Sequence, residues 1–240
     1  MANYKTRGII IRRSNFGEAD RLLTIFTERF GKVRAIAKGA RRQQSKLAGN
    51  LEPFCLTNFC LAEGRNLDIV TEAEIINCFF KIRNNLKSVN SSFYIGEVID
   101  KLTEERQSHP EVFELLTQVL EKINTLPDDL VLPYFEINFL SAVGYQPELF
   151  KCVHCSKKIE PGGSRFDLEG GGLACKSCAK YGINVSDETI KVMRIFLKND
   201  VRIIEKLKLT KKNIEEITNL LDNYIKHNYQ QEFKSRRFVL

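Results

Sequence analysis

The sequence predicts an α+β fold in which a small five-stranded β-barrel is followed by helices and a cysteine-rich insertion. Short β-branched segments recur about every ten residues over roughly the first 75 positions. From about Glu74 the apolar residues shift to spacings of three and four. Further along, two Cys-x-x-Cys pairs are separated by 19 residues. We therefore predict a barrel domain at 1–75, a helical domain at 76–149 and 183–240, and an insertion at 150–182.

The segments of the predicted barrel are rich in β-branched residues and are bounded by glycine-bearing turns. Five such strands within about 70 residues fit an OB-type barrel, whose loops and one sheet face commonly bind single-stranded nucleic acid. A Greek-key sandwich would give a similar pattern. The five predicted strands are 8–12, 21–27, 32–37, 53–61 and 67–71.

Helical periodicity covers most of the remaining chain. Start and stop residues bound several of these helices: Pro110 stands at a first helical position, Gly144 at an end, and Ser186 and Thr210 at two starts. Because bundle helices bury such apolar stripes, we assign the stripes to the core. The first predicted helix follows Glu74 and presents Ile75, Ile76, Phe79, Phe80 and Ile82. The later ones are 93–102, 110–123, 128–143, one from 186 and one from 210.

The most basic stretch runs from Lys32 to Lys46 and contains no acidic residue. Its first part alternates charged and apolar side chains, as a half-buried strand does, and the alternation ends after Lys38. This pattern predicts a strand that continues into a basic loop, which suits a polyanion because cations can follow phosphates and release their counterions. The alternative is a solvated loop with no partner. The candidate phosphate-binding residues are Lys32, Arg34, Lys38, Arg41, Arg42 and Lys46.

The net charge of +7 is divided unevenly along the chain. Residues 1–73 carry 13 basic and 7 acidic side chains, residues 74–149 carry 6 and 12, and residues 150–240 carry 18 and 11. A basic–acidic–basic order indicates that both ends can face nucleic acid while the middle faces elsewhere. Charge by itself does not choose between DNA, RNA and an acidic protein.

Four clustered cysteines have the spacing of a structural metal site. Each Cys-x-x-Cys pair can place two thiolates about 2.3 Å from one ion, and two pairs complete a tetrahedron. The glycines between the pairs suit the turns of a short ribbon. A redox dithiol is the alternative, and an odd total of seven cysteines argues against a secreted disulfide scaffold. We predict one structural Zn2+, with His154 as a bystander, held by Cys152, Cys155, Cys175 and Cys178. The fold prediction is thus an N-terminal OB-type barrel followed by an all-helical domain with an embedded zinc ribbon.

Composition and motifs argue against several classes of protein. The apolar content of 43% and charged content of 28% are typical of a folded globular protein. No run of about 18 apolar residues exists to span a membrane, and the N-terminus has no apolar signal core, so we expect a cytoplasmic protein without a membrane partner. His109, His154 and His227 are far apart, and no nucleophile motif or phosphate-binding glycine loop is present. We therefore expect no enzyme activity.

Short motifs along nearly the whole chain resemble one known family. The most specific are Ala-Lys-Gly-Ala-Arg-Arg at 37–42 and the run from Gly144-Tyr145 into the first cysteine pair. The others are Gly17, Glu18, Asp20, Thr27, Gly31, Ser45, Leu51, Pro53, Phe54, Phe135, Glu136, Leu140, Pro147, Lys234, Ser235 and Arg236. Together these residues resemble the RecO family of bacterial recombination mediators.

The resemblance implies binding of single- and double-stranded DNA, annealing of complementary strands and help in loading the RecA recombinase together with RecR. It also implies recognition of the C-terminal tail of single-stranded DNA-binding protein, in a nucleoid-associated setting. Because Tyr134 stands where many members carry an arginine, no residues are assigned to the site for that tail. In the OB domain, the residues implied to contact phosphates are Lys38, Arg41, Arg42 and Lys46, with Lys32 and Arg34 on the adjoining strand.

Two other functions stay open at the level of sequence. An RNA-binding or transcription-associated factor of OB-plus-ribbon type would bind RNA much better than DNA of equal length. A redox or metal-handling protein built on the cysteines would have thiols that react in the native state. A DNA mediator would instead bind without sequence preference and weaken steeply with salt.

Overall fold

The computed structural model describes residues 2–199 and 201–239. It confirms the predicted fold class, because a closed five-stranded barrel is followed by helices and a four-cysteine cluster. The chain forms two compact units, one from 2–122 with 233–239 and the other from 123–232. The sequence suggested a different division, into a barrel, a helical domain and a ribbon, and that division stays a prediction.

The barrel strands close in the order β1-β2-β3-β5-β4. Neighbouring strands are antiparallel except β3 and β5, which are parallel. The long first strand pairs with β4 through its first half and with β2 through its second, and its register shifts between Ile10 and Arg12. Such a bulge bends a strand so that it can serve both sides of a closed sheet. The bounds are β1 (Asn3–Phe16), β2 (Asp20–Thr27), β3 (Gly31–Ala37), β4 (Leu56–Ala62) and β5 (Asp68–Asn77).

Inward-facing apolar side chains at alternate positions fill the barrel. At one end, which holds the β1–β2 turn and the loop between β3 and β4, Leu47 packs against this core. At the other end, which holds the β2–β3 and β4–β5 turns, Tyr4 and Phe30 do so. We call the first end the mouth and the second the opposite end. The buried core residues are Ile10, Leu23, Ile25, Val33, Ala35, Ala37, Ala40, Leu51, Phe59, Leu61 and Val70.

The helix predicted after Glu74 is wrong. Strand β5 continues to Asn77, where Ile75 pairs with Thr57 of β4, and a 3-10 helix Phe80–Asn84 follows. Hydrogen bonds to a neighbouring strand, which local spacing does not reveal, decide the conformation here. The first α-helix is α1 (Leu86–Leu102).

A disulfide joins Cys55, just before β4, to Cys78, just after β5. The two cysteines meet because Leu56 and Asn77, their neighbours along the chain, are partners in the β4–β5 ladder. The sequence analysis did not single out this pair, because the pairing depends on the strand register.

The later helices follow the predicted start and stop residues. Pro110 begins α2, and Gly144 follows α3 with a positive φ. Ser186 and Thr210 cap their helices, because each side-chain oxygen accepts a backbone N–H three residues on, at 3.3 Å. Among the described residues, no helix is both long enough and apolar enough to cross a membrane. The bounds are α2 (Pro110–Lys122), α3 (Asp128–Ala142), α4 (Asp187–Leu197), α5 (Val201–Ile204) and α6 (Lys211–Tyr229).

The C-terminal segment packs on α1 within the first unit. The carboxylate of Glu97 accepts the backbone N–H groups of Lys234 (3.0 Å) and Ser235 (2.8 Å). The guanidinium of Arg236 lies 4.8 Å from the centre of the Tyr94 ring, a favourable cation–π arrangement. This basic segment is therefore held by α1 through both charge and aromatic contacts.

Candidate nucleic-acid interface and metal centre

The structure separates the six predicted cations into two groups. The first group lies on β3 and the second lies on the loop at the mouth, where all four side chains are exposed. The β3 residues are Lys32 and Arg34, and the loop residues are Lys38, Arg41, Arg42 and Lys46.

Lys32 is held by the C-terminal end of α1. Its Nζ donates to the backbone oxygens of Asp100 and of Thr103, the latter at 2.7 Å, and lies 3.5 Å from the Asp100 carboxylate. Carbonyls at a helix C-terminus attract a cation because they carry the negative end of the helix dipole. With its side chain only 12% exposed, Lys32 anchors β3 to α1 and supports the neighbouring surface.

Arg34 lies on the outer face of β3, in one cross-strand row with Thr24 of β2 and Arg12 of β1. A cleft of about 450 Å3 runs beside this row. The Nη1 of Arg12 lies 3.6 Å from a carboxylate oxygen of Asp100. The cleft therefore carries charges of both signs, unlike the loop at the mouth. The acidic residues that line it are Asp100, Glu104 and Glu105.

The basic loop has a fixed backbone and exposed side chains. Gly39 turns the chain out of β3 at φ +63°, a conformation that glycine adopts without strain, and its N–H donates to Asp20 at 2.7 Å. The N–H of Arg41 donates to the oxygen of Ala19 at 2.8 Å. Ala40, which lies between Gly39 and Arg41, is fully buried in the barrel core. The loop is thus fastened to the β1–β2 turn, and its cations are presented to solvent at defined places.

Two arginines that the sequence analysis did not single out face inward at the mouth. Arg21 shares the inner face of β2 with Leu23, and Arg13 of β1 lies directly opposite Leu23. The signal was present in the sequence, since residues 21, 23 and 25 alternate with outward positions. A charged residue at an inward position of a barrel strand is unusual enough to mark a functional candidate.

The four cysteines predicted as metal ligands converge. Their sulfur atoms all lie within 4.8 Å of one another, and the Sγ atoms of Cys155 and Cys175 are 3.8 Å apart. A tetrahedral ion with metal–sulfur distances of about 2.3 Å requires sulfur atoms about 3.8 Å apart. The donor set therefore fits a tetrahedral thiolate-bound ion. The set comprises Cys152, Cys155, Cys175 and Cys178.

Two similar turns and a small sheet position these sulfur atoms. The N–H of Ser156 donates to the oxygen of Cys152, and that of Ala179 donates to the oxygen of Cys175, both at 2.9 Å. A Cβ at Gly172 would lie 2.4 Å from the backbone oxygen of Glu148, so only glycine allows the ribbon to approach that segment. The sheet consists of β6 (Arg165–Asp167), β7 (Gly172–Ala174) and β8 (Ile183–Asn184).

The thiols influence one another's ionisation. Burial alone would raise the pKa of Cys152, but backbone N–H donors from Cys175, Cys155 and His154 lower that pKa to about 6. The pKa of Cys178 is raised to about 12 by hydrogen bonds to Cys175 and Cys155, by burial and by the nearby charge of Cys152. The negative charge of one thiolate therefore opposes the formation of a second. A bound cation neutralises that charge, so metal binding releases protons from the thiols.

His154 lies beside the cysteine cluster and contacts a carboxylate. Its Nε2 lies 2.9 Å from Oδ2 of Asp167 on β6. The N–H of Gly170 donates to the other oxygen of that carboxylate at 3.1 Å. The histidine therefore joins the first knuckle to the β6–β7 turn, outside the four-sulfur set.

Tyr134, the residue that departs from the family pattern, belongs to the core of the second unit. Its ring packs edge-on against Phe196 at 5.9 Å, and its hydroxyl donates to the side-chain oxygen of Asn199. Burial raises its pKa to about 12, so the phenol is neutral. The position contributes packing within α3 and α4.

Comparison with known proteins identifies the family. Two family models match the chain. The one described as Recombination protein O N terminal matches residues 1–79, and the one described as Recombination protein O C terminal matches residues 83–237. The chain is 37% identical over 218 residues to DNA repair protein RecO of Dehalococcoides mccartyi, covering 90% of this chain and 86% of that protein. It is 35% identical over 240 residues to the RecO of a Roseiflexus species (98% and 84%) and 30% identical over 239 residues to that of Bacillus pumilus (98% and 93%). This chain therefore belongs to the RecO family of DNA repair proteins.

Proposed function

We propose that this protein acts in homologous recombination as a mediator that binds single- and double-stranded DNA and anneals complementary strands. The observation that carries the proposal is the exposed basic loop, whose backbone is fixed at the mouth of the barrel. Membership of a DNA repair family supports it. Annealing needs charge neutralisation more than chemistry, because two polyanions must approach each other closely.

We expect the binding of DNA to be independent of the nucleotide sequence. Exposed lysine and arginine side chains on a fixed backbone reach phosphates and leave the edges of the nucleotide bases unread. Four to six phosphate contacts on a single strand give a log–log slope of about −3 to −4 for affinity against salt. The contacts are proposed for Lys38, Arg41, Arg42 and Lys46, with Arg34 beside them and Lys32 positioning β3.

The four cysteines are proposed to hold one structural Zn2+. The ion would cross-link the two knuckles and supply no chemical step, since four protein sulfurs leave no open coordination position. The ion would stabilise the fold of the ribbon, because the ribbon has too few hydrogen bonds and too short strands to fold by itself.

We also propose that the protein works with RecR, recognises the C-terminal tail of single-stranded DNA-binding protein, and through them helps load RecA, in the bacterial cytoplasm at the nucleoid. These partners are what the family resemblance implies, and no residues are assigned to them. An RNA-binding or transcription-associated role is the second candidate, because exposed cations bind RNA phosphates as well as DNA phosphates, and membership of a DNA repair family is what favours DNA.

The test is fluorescence anisotropy of labelled single-stranded DNA across a salt series. We expect Arg41→Ala/Arg42→Ala to weaken binding about tenfold or more and to make the salt slope shallower by about 1.4. The matched control is Arg29→Ala/Arg65→Ala, which removes two exposed arginines from turns at the opposite end of the barrel.

Three results would count against the proposal. If both double variants bind like the wild type, the basic loop is not the DNA site. If RNA of equal length displaces DNA at much lower concentration, the second candidate function is correct. If wild type binds DNA but does not accelerate the annealing of complementary strands, the mediator role fails.

A further inference from the structure

Three arginines surround the mouth of the barrel, and we call them the mouth arginines: Arg13, Arg21 and Arg41. Arg13 and Arg21 lie on inner-face positions of β1 and β2. Arg41 closes over the β1–β2 turn, where its Nη1 donates to the oxygens of Glu18 (3.1 Å) and Gly17 (3.4 Å). Backbone oxygens, which carry no net charge, therefore hold Arg41 in place.

Among the described carboxylates at the mouth, which include Glu18 and Asp20 of the β1–β2 turn, only Glu52 forms an ion pair with a mouth arginine. Glu52 accepts a hydrogen bond from Arg13 at 2.8 Å, while its other oxygen lies 4.0 Å from Arg83, so two arginines share one carboxylate. Asp20 lies on the opposite face of β2 from Arg21 and accepts the N–H of Gly39. Positive charge is thus in excess inside the mouth.

Arg21 is the least satisfied of the mouth arginines. It pairs in the sheet with Asn15 and Ala37, and within the described chain its Nη1 is buried without a hydrogen-bond partner. Buried donors are nearly always paired in folded proteins, and an unpaired one is costly. Burial lowers the pKa of Arg21, the charges of Arg13 and Arg41 lower it further, and Glu52 opposes them. Its guanidinium is thus held among like charges with a free donor.

We propose that the mouth arginines form a recess for a phosphate group, in which Nη1 of Arg21 is the central donor. A phosphate supplies acceptor oxygens and negative charge together, which are the two things that the recess lacks. Guanidinium groups suit this ligand because their planar donors match phosphate oxygens in pairs. Arg13 is kept in place by the oxygen of Leu51 at 3.0 Å, so its guanidinium needs no reorientation to hold its position at the mouth.

The phosphate is proposed to be a phosphodiester of the DNA backbone. The exposed cations of the basic loop flank the recess, so a strand that follows them passes over the mouth. This identification rests on the proposed function and deepens it, because it adds inward-facing residues to an interface assigned so far to the loop alone. A free phosphate has the same chemistry, and the experiment separates the two sources.

The first experiment measures the thermal unfolding of the full-length protein in sodium phosphate and in sodium chloride at equal ionic strength. Phosphate stabilises folded proteins in general by exclusion from their surface. The quantity to compare is therefore the rise in Tm that phosphate causes in Arg21→Met and in Arg29→Met. Arg29 is an exposed arginine of the β2–β3 turn. We expect phosphate to raise the Tm of wild type and of Arg29→Met by the same amount, and that of Arg21→Met by less. Equal gains in all three proteins would overturn the recess.

The second experiment compares the same variants in binding a labelled single-stranded oligonucleotide. We expect Arg21→Met to weaken binding about tenfold and to make the salt slope shallower by about 0.7, with Arg29→Met close to wild type. A lost phosphate effect with unchanged DNA binding would overturn the DNA assignment and identify the ligand as a free phosphate. If the wild type binds no DNA, the proposed function fails while the thermal measurement still tests the recess.

A third measurement covers the case in which Arg21→Met does not fold. Calorimetric titration of inorganic phosphate into the wild-type protein needs no variant. We expect saturable binding at one site that is displaced by the oligonucleotide. The absence of saturable binding would overturn the recess.

Discussion

The two ends of the barrel treat charge in opposite ways. At the opposite end, Asp68 is 1% exposed, and its carboxylate accepts hydrogen bonds from Arg106 (2.6 Å), from the N–H of Gly64 (3.1 Å) and from the hydroxyl of Tyr4. On the surface nearby, Arg7 and Glu28 form a two-pronged ion pair. At the mouth, Arg13 pairs with Glu52, while Nη1 of Arg21 has no hydrogen-bond partner among the described residues.

The difference separates charges that maintain the fold from charges kept for a partner. Paired charges with satisfied donors fix turns, and such groups are strongly destabilising to break because the remaining partner stays buried. Clustered cations with a free buried donor cost folding free energy. We infer that the mouth retains this arrangement because a ligand completes it.

The largest expected loss of stability follows removal of the metal from the second unit, and the effects expected in the barrel are smaller. Removing metal from the cysteine set should unfold the ribbon, because structural zinc contributes an apparent binding free energy of about 10 kcal/mol in small zinc domains. A chromogenic chelator should release one equivalent of zinc per chain, and four thiols should then react. Cys60→Ser, which leaves the set intact, should retain the metal. Full thiol reactivity before the chelator is added would contradict the prediction.

Acid should release the same ion. The thiolates must be deprotonated to bind metal, so protons compete with the ion more strongly as the pH falls. We expect metal retention at neutral pH and release on acidification, measured by the absorbance of the chelator. Retention that is unchanged well below pH 5 would contradict this.

At the opposite end of the barrel, Arg106→Met should destabilise the protein by about 2–3 kcal/mol. The loss is large because Asp68 stays buried with a charge that has lost its ionic partner, and it is moderated because Arg106 itself is 40% exposed. Urea unfolding measures the change. DNA affinity in the folded variant should equal that of the wild type, and a matching loss of DNA binding would remove the distinction between the two ends.

A smaller effect is expected where the C-terminal segment meets α1. Although burial acts to raise it, the pKa of Glu97 is lowered to about 2, because Ser235, Lys101 and Lys234 donate to the carboxylate. A lowered pKa stabilises the fold above the unfolded value near 4.5, and this contribution disappears as the pH falls towards 2. Glu97→Gln should therefore cost about 1–2 kcal/mol at pH 7 and less than that at pH 3. An equal cost at both values would contradict the assignment.

The smallest effect on stability is expected at Lys32, and its DNA affinity tests the division of the predicted cations into two groups. Because its ammonium is held by the end of α1, Lys32→Met should lower the stability by about 1 kcal/mol. Its DNA affinity should fall much less than that of Arg42→Ala. A fall of equal size would return Lys32 to the group of direct contacts.

The sequence predicted those parts of the fold that depend on local chemistry. Pro110, Ser186 and Thr210 mark helix starts correctly because capping involves only the next few residues. The four-cysteine cluster was predicted because its spacing alone limits the geometry. The residues after Glu74 were mistaken for a helix because a neighbouring strand, distant in the sequence, decides their conformation.

The candidate interface was harder to predict for the same reason. The partners of Lys32 lie 68 and 71 residues away, so no local pattern shows that its ammonium is occupied. Arg21 could have been noticed from the alternation on β2, but its free donor depends on Arg13, Arg41 and Glu52, which reach the mouth from three other segments.

Hydrogen–deuterium exchange of the wild-type protein with and without single-stranded DNA tests most directly whether DNA binds at the mouth. It compares the two ends of the barrel in one experiment. When DNA is bound, we expect slower exchange of the backbone amides in 38–50 and in the β1–β2 turn. Exchange in the β2–β3 and β4–β5 turns should be unchanged. Protection of those two turns, with none at the mouth, would show that DNA binds at the opposite end of the barrel.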